Sequence, residues 1–110
     1  MHARFPHLVL KNIPHRAWSH RIAQARKVIG RALDADICIP ARLTGASRRH
    51  AEVWGDRYGT WLRDLGSRRG TSVNGVWIDH VPQVQIVVGD TLWLGGAELE
   101  VIDHFLALGT

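Results

Sequence analysis

The sequence predicts an all-β protein, an antiparallel β-sandwich of about 11 short strands. Three observations carry that expectation. No window of the 110 residues sustains helical periodicity, short β-prone runs follow one another along the chain, and Gly, Pro, Asn and Asp separate them. Strands are expected near 7–13, 19–24 and 27–31, the third ending in Ile29-Gly30-Arg31. A fourth, 36–39, sets Cys38 between Ile37 and Ile39, where the thiol serves as a small hydrophobe. Two more follow at 50–55 and 59–64. Next, Thr71-Ser72-Val73 and Val76-Trp77-Ile78 (strands 71–73 and 76–78) flank Asn74-Gly75, a pair suited to a type I′ hairpin because both turn residues need positive φ. The run 83–88 is closed by Gly89-Asp90. The clearest pair comes last. In 91–94 Leu92 and Leu94 alternate with Thr91 and Trp93, and in 97–102 Ala97, Leu99 and Val101 alternate with Glu98 and Glu100, joined by Gly95-Gly96. The tail from Ala107 to Thr110 is expected to fray.

Length and composition fit one globular domain over 1–110, with its core at about 8–102. Apolar residues form 45% of the chain and charged residues 22%, which places it among globular rather than disordered sequences. The lone cysteine excludes an internal disulfide and suits a reducing, cytoplasmic setting. No apolar run reaches the length of a membrane span, so no membrane association is expected.

The net charge of +4 conceals an asymmetry. Residues 1–78 hold all 14 Lys and Arg against five acids, a balance of +9, whereas 79–110 hold five acids and neither Lys nor Arg. Twelve of the 14 basic residues are arginine, whose planar fork of donors matches phosphate and carboxylate better than the point charge of lysine. Six of them (Arg31, Arg42, Arg48, Arg49, Arg68 and Arg69) fall in or beside three expected loops, which points to an anionic partner.

Those loops are Ile29-Gly30-Arg31, Ser47-Arg48-Arg49-His50 and the stretch from Asp64-Leu65-Gly66-Ser67 through Arg68-Arg69-Gly70-Thr71 to Val73-Asn74-Gly75. A phosphate held without metal needs charged donors, neutral donors for orientation, and room for close backbone approach. Arg, Ser and Gly supply these in turn.

Gly-Arg, Ser-Arg-x-His and Gly-Thr-x-x-Asn-Gly, in this order and spacing over about Leu8 to Ile102, resemble a forkhead-associated (FHA) domain. The resemblance implies a module that recognises phosphothreonine in partner proteins through loops at one end of a sandwich. It implies that Arg31 reaches the phosphate or the adjoining peptide, that the Ser47 hydroxyl donates to a phosphate oxygen, and that Arg48 is a second phosphate-facing donor. His50 matches a histidine that braces the recognition loops. Gly30, Asn74 and Gly75 match backbone positions that support the site. Arg49, at the variable position of the motif, is expected to face solvent.

The chain departs from the family in two places. After Gly-Ser the family commonly reads Thr-Asn-Gly-Thr, and its asparagine grips the peptide backbone. Here Arg68 and Arg69 stand in those two places. Arginine donates to peptide carbonyls but cannot accept from a peptide N–H, so the two-way amide contact is replaced by one suited to acidic residues near the phosphothreonine. The loop Ala41 to Ala46 is also slightly long, with Ala46 in place of a larger apolar residue.

Other functions rank lower. The chain carries no paired-carboxylate motif, Gly-x-Ser-x-Gly elbow, P-loop or dinucleotide fingerprint, so an enzyme is not expected. Ser47 and His50 diverge if the segment leads into a strand. A phospho-independent interaction module of the same fold is the second reading. A nucleic-acid-binding β-domain is third, because the arginine-rich loops hold no Trp, Tyr or Phe for base stacking. The five tryptophans are read as sheet and core packing. The seven histidines lack metal-site spacing, and no cofactor is expected.

Overall fold

The computed structural model describes residues 5–11, 13 and 17–108, leaving aside the side chains of 105 and 108. Among the described residues eleven strands form two sheets: β1 His7–Leu10, β2 Ser19–Arg21, β3 Lys27–Gly30, β4 Ile37–Cys38, β5 Ala51–Asp56, β6 Gly59–Asp64, β7 Thr71–Val73, β8 Val76–Trp77, β9 Val84–Ile86, β10 Thr91–Leu94 and β11 Ala97–Ile102. One sheet has the order β2-β1-β11-β10-β7-β8 and the other β4-β3-β5-β6-β9. The expected sandwich is therefore present, and each of the eleven expected runs contains a strand.

The period of two explains why the sheets face each other. In β10 Leu92 and Leu94 are buried while Thr91 and Trp93 are turned outward. In β11 Ala97, Leu99 and Val101 point in and Glu98 points out. Ile29, Val53, Leu62 and Ile86 from the second sheet close the same core. Each such side chain, fully buried, contributes about 1.5–3 kcal/mol.

Besides β2, which is expected over 19–24 and ends at Arg21, four features differ from expectation. The pairing of β3 with β4 is parallel, Ile29 opposite Ile37 and Gly30 opposite Cys38. Parallel neighbours ordinarily need a long crossover. Here β4 has two residues, and the connection 31–36, tightened by a bond from Ala35 N–H to the Ala32 carbonyl, turns the chain back along β3. The strand expected to reach 88 ends at Ile86, because the Asp90 carboxylate accepts from Val87 N–H and Asp90 N–H donates back to the Val87 carbonyl. β1, expected to run to 13, ends at Leu10; position 12 lies outside the described residues. The tail is not frayed at Ala107, which belongs to a short helix, α1, His104–Leu108; 109 and 110 lie outside the described residues.

Candidate functional site

Strand register gathers the loops. Ala51, at the start of β5, is paired with Ile29 at the end of β3 and with Asp64 at the end of β6. In the other sheet, Thr71 at the start of β7 is paired with Leu94 at the end of β10, itself opposite Ala97. Connections 31–36, 39–50, 65–70 and 95–96 therefore leave the same end of the sandwich.

Main-chain bonds then tie these loops together. Arg31 N–H donates to the Ser47 carbonyl and Ala32 N–H to the Arg48 carbonyl, both at 3.1 Å. Gly30 makes this approach possible: a Cβ there would stand 1.9 Å from the Arg48 carbonyl oxygen. A second close approach secures the neighbouring loop, since a Cβ on Gly45 would meet the Gly95 carbonyl oxygen at 1.8 Å. Sequence reading assigned Gly95 only to its hairpin and gave Gly45 no role. A contact between residues fifty apart leaves no local signature.

His50 is fully buried beneath the loops. Its Nδ1 accepts from Ser47 N–H at 3.0 Å, and its Nε2 lies 2.9 Å from the Gly70 carbonyl oxygen. A main-chain N–H can only donate and a carbonyl can only accept, so the ring is neutral with its proton on Nε2. Burial holds its pKa below the ordinary 6.5, against smaller opposing effects of the Gly70 carbonyl and Asp64. With both nitrogens engaged by main chain, the ring has no lone pair left to activate the Ser47 hydroxyl.

Asp64 organises the third loop, a role that sequence reading did not assign. Its carboxylate accepts from the Ser67 and Thr71 hydroxyls and from the N–H groups of Gly66 and Ser67. Burial alone would raise its pKa, but these four donors outweigh it and hold the group below its ordinary value. The Asp-x-Gly-Ser spacing was the available signal, since an aspartate accepting from main chain two and three residues on is an Asx-type turn.

On this frame Arg31, Ser47, Arg48, Arg68 and Arg69 share an open cleft of about 340 Å³, walled otherwise by residues 44–46. The Ser47 hydroxyl oxygen accepts from Arg68 N–H at 3.1 Å. Its own O–H remains available to a ligand oxygen. Arg31 donates through Nε to the Ala46 carbonyl, which leaves its two terminal nitrogens for the cleft. No carboxylate lines the cleft, and among the described residues none of its four arginines has an ion pair.

Other candidates lie elsewhere. Arg42 borders a separate hollow with Lys11 and Glu98. Arg49, expected to face solvent alone, is exposed but paired with Asp34 at 3.2 Å. Asn74 and Gly75 form the β7–β8 turn with φ of 51° and 83°, as the type I′ reading requires. That turn is at the far end of the sandwich. Asn74 is bonded to Asp90 and to Thr91 N–H, at the opposite end of β10 from Gly95. Of the tryptophans, Trp54 is buried, while Trp77 is half-exposed and meets Trp93 edge to face. Among the described residues no cluster of His, Cys, Asp or Glu is placed to hold a metal; His2 and His15 lie outside them. No helix among them is long and apolar enough to cross a membrane.

A β-sandwich that presents donor-rich loops at one end is a recognition module, its site assembled from connections rather than from the sheets. The FHA domain family model matches residues 27–95, and the chain belongs to that family. A solved FHA domain from work on phosphothreonine-dependent FHA interactions is 33% identical, superposes with a TM-score of 0.77, and covers 90% of this chain and 96% of its own. The FHA domain of FhaA, solved in complex with the intracellular domain of Rv3910, is also 33% identical, with a TM-score of 0.74 over 87% of this chain and 98% of that one. In sequence, the ABC transporter ATP-binding/permease protein Rv1747 of Mycobacterium tuberculosis is 42% identical over 79 residues, 72% of this chain. The match spans 9% of that transporter's length.

Proposed function

We propose that this domain binds phosphothreonine-containing segments of partner proteins, with Arg31, Ser47 and Arg48 holding the phosphate and Arg68 and Arg69 facing the peptide beside it. FHA domains are phosphothreonine-binding modules. The observation that carries the residue assignment is the Ser47 hydroxyl. Its acceptor side is taken by Arg68 N–H and its free donor lies in a cleft with four arginines and no acid. A phosphate dianion offers acceptors only, which suits a site built of donors. His50 and Gly30 support the site through the main chain.

The reading assigns binding without catalysis, in one domain over 1–110, on the cytoplasmic side where protein kinases and ATP meet their substrates. Titration with one peptide in phosphothreonine, phosphoserine and unmodified forms tests it. Phosphothreonine binding tightest and the unmodified form not at all is the expected order. Equal affinity for phosphorylated and unmodified peptide overturns it in favour of a phospho-independent module, the reading that the loss of the family's asparagine at the cleft supports.

A further inference from the structure

We infer that the ligand of this cleft carries a second anionic group beside the phosphothreonine, held by Arg68 and Arg69. The inference rests on the phosphothreonine reading and adds what stands next to it. Four guanidinium groups share the cleft, each permanently charged. A phosphothreonine brings a charge of about −1.5 to −2 near neutral pH, so roughly two positive charges remain uncompensated when it binds. Among the described residues the lining of the cleft sets no carboxylate against them. Elsewhere on the surface arginines do find acids, Arg26 with Glu52 and Arg49 with Asp34. Arg21, Arg42, Arg57 and Arg63 also lack an ion pair among the described residues, but the cleft gathers four such arginines on one lining without an acid.

The lining also gives the second anion a side. Arg31 and Arg48 border a neighbouring hollow whose other walls are Ala32, the highly exposed Leu33, and Asp34. An acidic ligand group on that side would face the Asp34 carboxylate and an apolar side chain. On the other side stand Arg68 and Arg69. The backbone of Arg68 is fastened to Ser47 Oγ, and the Arg69 side chain lies against Gly45, its Cδ 3.5 Å from where a Cβ would be. Both side chains thus rise from stems anchored beside Ser47 and line the same cleft as Arg31 and Arg48, and like charges sharing a cleft repel one another until anions lie between them. The group that answers them is a carboxylate or a second phosphate on the same peptide.

The test uses fluorescence-labelled phosphothreonine peptides with alanine at every flanking position, with a single glutamate moved through the flanks, and with a second phosphothreonine moved likewise. Unphosphorylated versions of each serve as controls. Affinities are measured for the wild type, for R68Q/R69Q, and for R63Q, which removes an exposed β6 charge outside the cleft. At about 50 mM salt, glutamate at the favoured position should tighten binding about tenfold, and a second phosphate there by more. R68Q/R69Q should reduce that advantage to about twofold or less, with the alanine-flanked phosphopeptide still bound in a phosphate-dependent way, and R63Q should keep it. Glutamate and second phosphate separate carboxylate from phosphate as the preferred source. An alanine-flanked phosphopeptide bound as tightly as every acidic one overturns the inference and leaves the phosphothreonine reading standing. So does an acidic advantage that survives R68Q/R69Q or is lost equally in R63Q. Failure of all phosphopeptides to bind better than their unmodified forms overturns the phosphothreonine reading and this inference with it.

Discussion

His50 and Gly70 are twenty residues apart in the chain and joined by one buried hydrogen bond, 2.9 Å from imidazole Nε2 to the carbonyl oxygen. The other ring nitrogen holds Ser47 N–H. One side chain thus spans the two loops that bear Ser47, Arg48, Arg68 and Arg69, and fixes their separation before any ligand arrives.

His50→Ala should remove that spacer. It deletes two buried hydrogen bonds, strands a main-chain N–H and a carbonyl, and leaves a void, together about 2–4 kcal/mol. The melting temperature should fall by about 10 °C or more and phosphopeptide affinity should fall with it. Ser47→Ala should weaken phosphopeptide binding about ten- to a hundredfold while shifting the melting temperature little. Thermal denaturation and titration of both variants check the division of roles; the reverse pattern contradicts it.

Acid should loosen the fold through the same residue. Because burial depresses the pKa of His50 below 6.5 in the folded state, the unfolded chain binds more protons as pH falls through that value. Its contribution is complete above about pH 6.5 and is lost on the acid side. His7 and His20, also depressed by burial, act in the same direction. Melting curves between about pH 7.5 and about pH 5.5 should show falling stability, less steeply in His50→Gln than in the wild type.

Gly30→Ala should fail for a steric reason. The added methyl would sit 1.9 Å from the Arg48 carbonyl oxygen, an atom of main chain that no rotamer change can move. The loop bearing Ser47 and Arg48 must shift, at a cost of about 1–3 kcal/mol and with loss of phosphopeptide binding. A variant that melts and binds like the wild type would show that the loop is not anchored at Gly30.

Asp64→Ala should leave the buried Thr71 hydroxyl and two main-chain N–H groups without their acceptor, costing about 2–3 kcal/mol. Asp64→Asn should cost less, because its amide oxygen still accepts. Chemical denaturation of the two variants reads the difference.

The parts legible in the sequence were those with a local cause. Alternation at Leu92 and Leu94 against Trp93, and two turn residues tolerant of positive φ at Asn74-Gly75, are properties of a few neighbouring residues, and both placed strands correctly. Arg31, Ser47, Arg48, Arg68 and Arg69 were legible as a group through the order of their motifs, and the fold brings them to one cleft. What escaped notice depends on distance. Arg42 stands beside an expected loop like the cleft arginines, yet it borders a different hollow, and Arg49, expected to face solvent, is exposed but meets Asp34 fifteen residues away. The Asn74-Gly75 turn closes the third loop as read in sequence and is expected to support the site, but β7 carries it to the far end of the sandwich, away from the cleft. The parallel β3–β4 pair was hidden because two residues are too few to show a direction.

The bond that holds residue 68 in place uses only its main-chain nitrogen, received by Ser47 Oγ. Any amino acid except proline can supply that donor. Position and identity are therefore separable at this corner of the cleft: the scaffold dictates where residue 68 stands, and its side chain is free to vary without touching the core. If residue 68 faces the ligand as proposed, substitutions there would alter ligand preference while leaving the frame intact. Glutamine, leucine or glutamate at residue 68 would be presented from the same backbone.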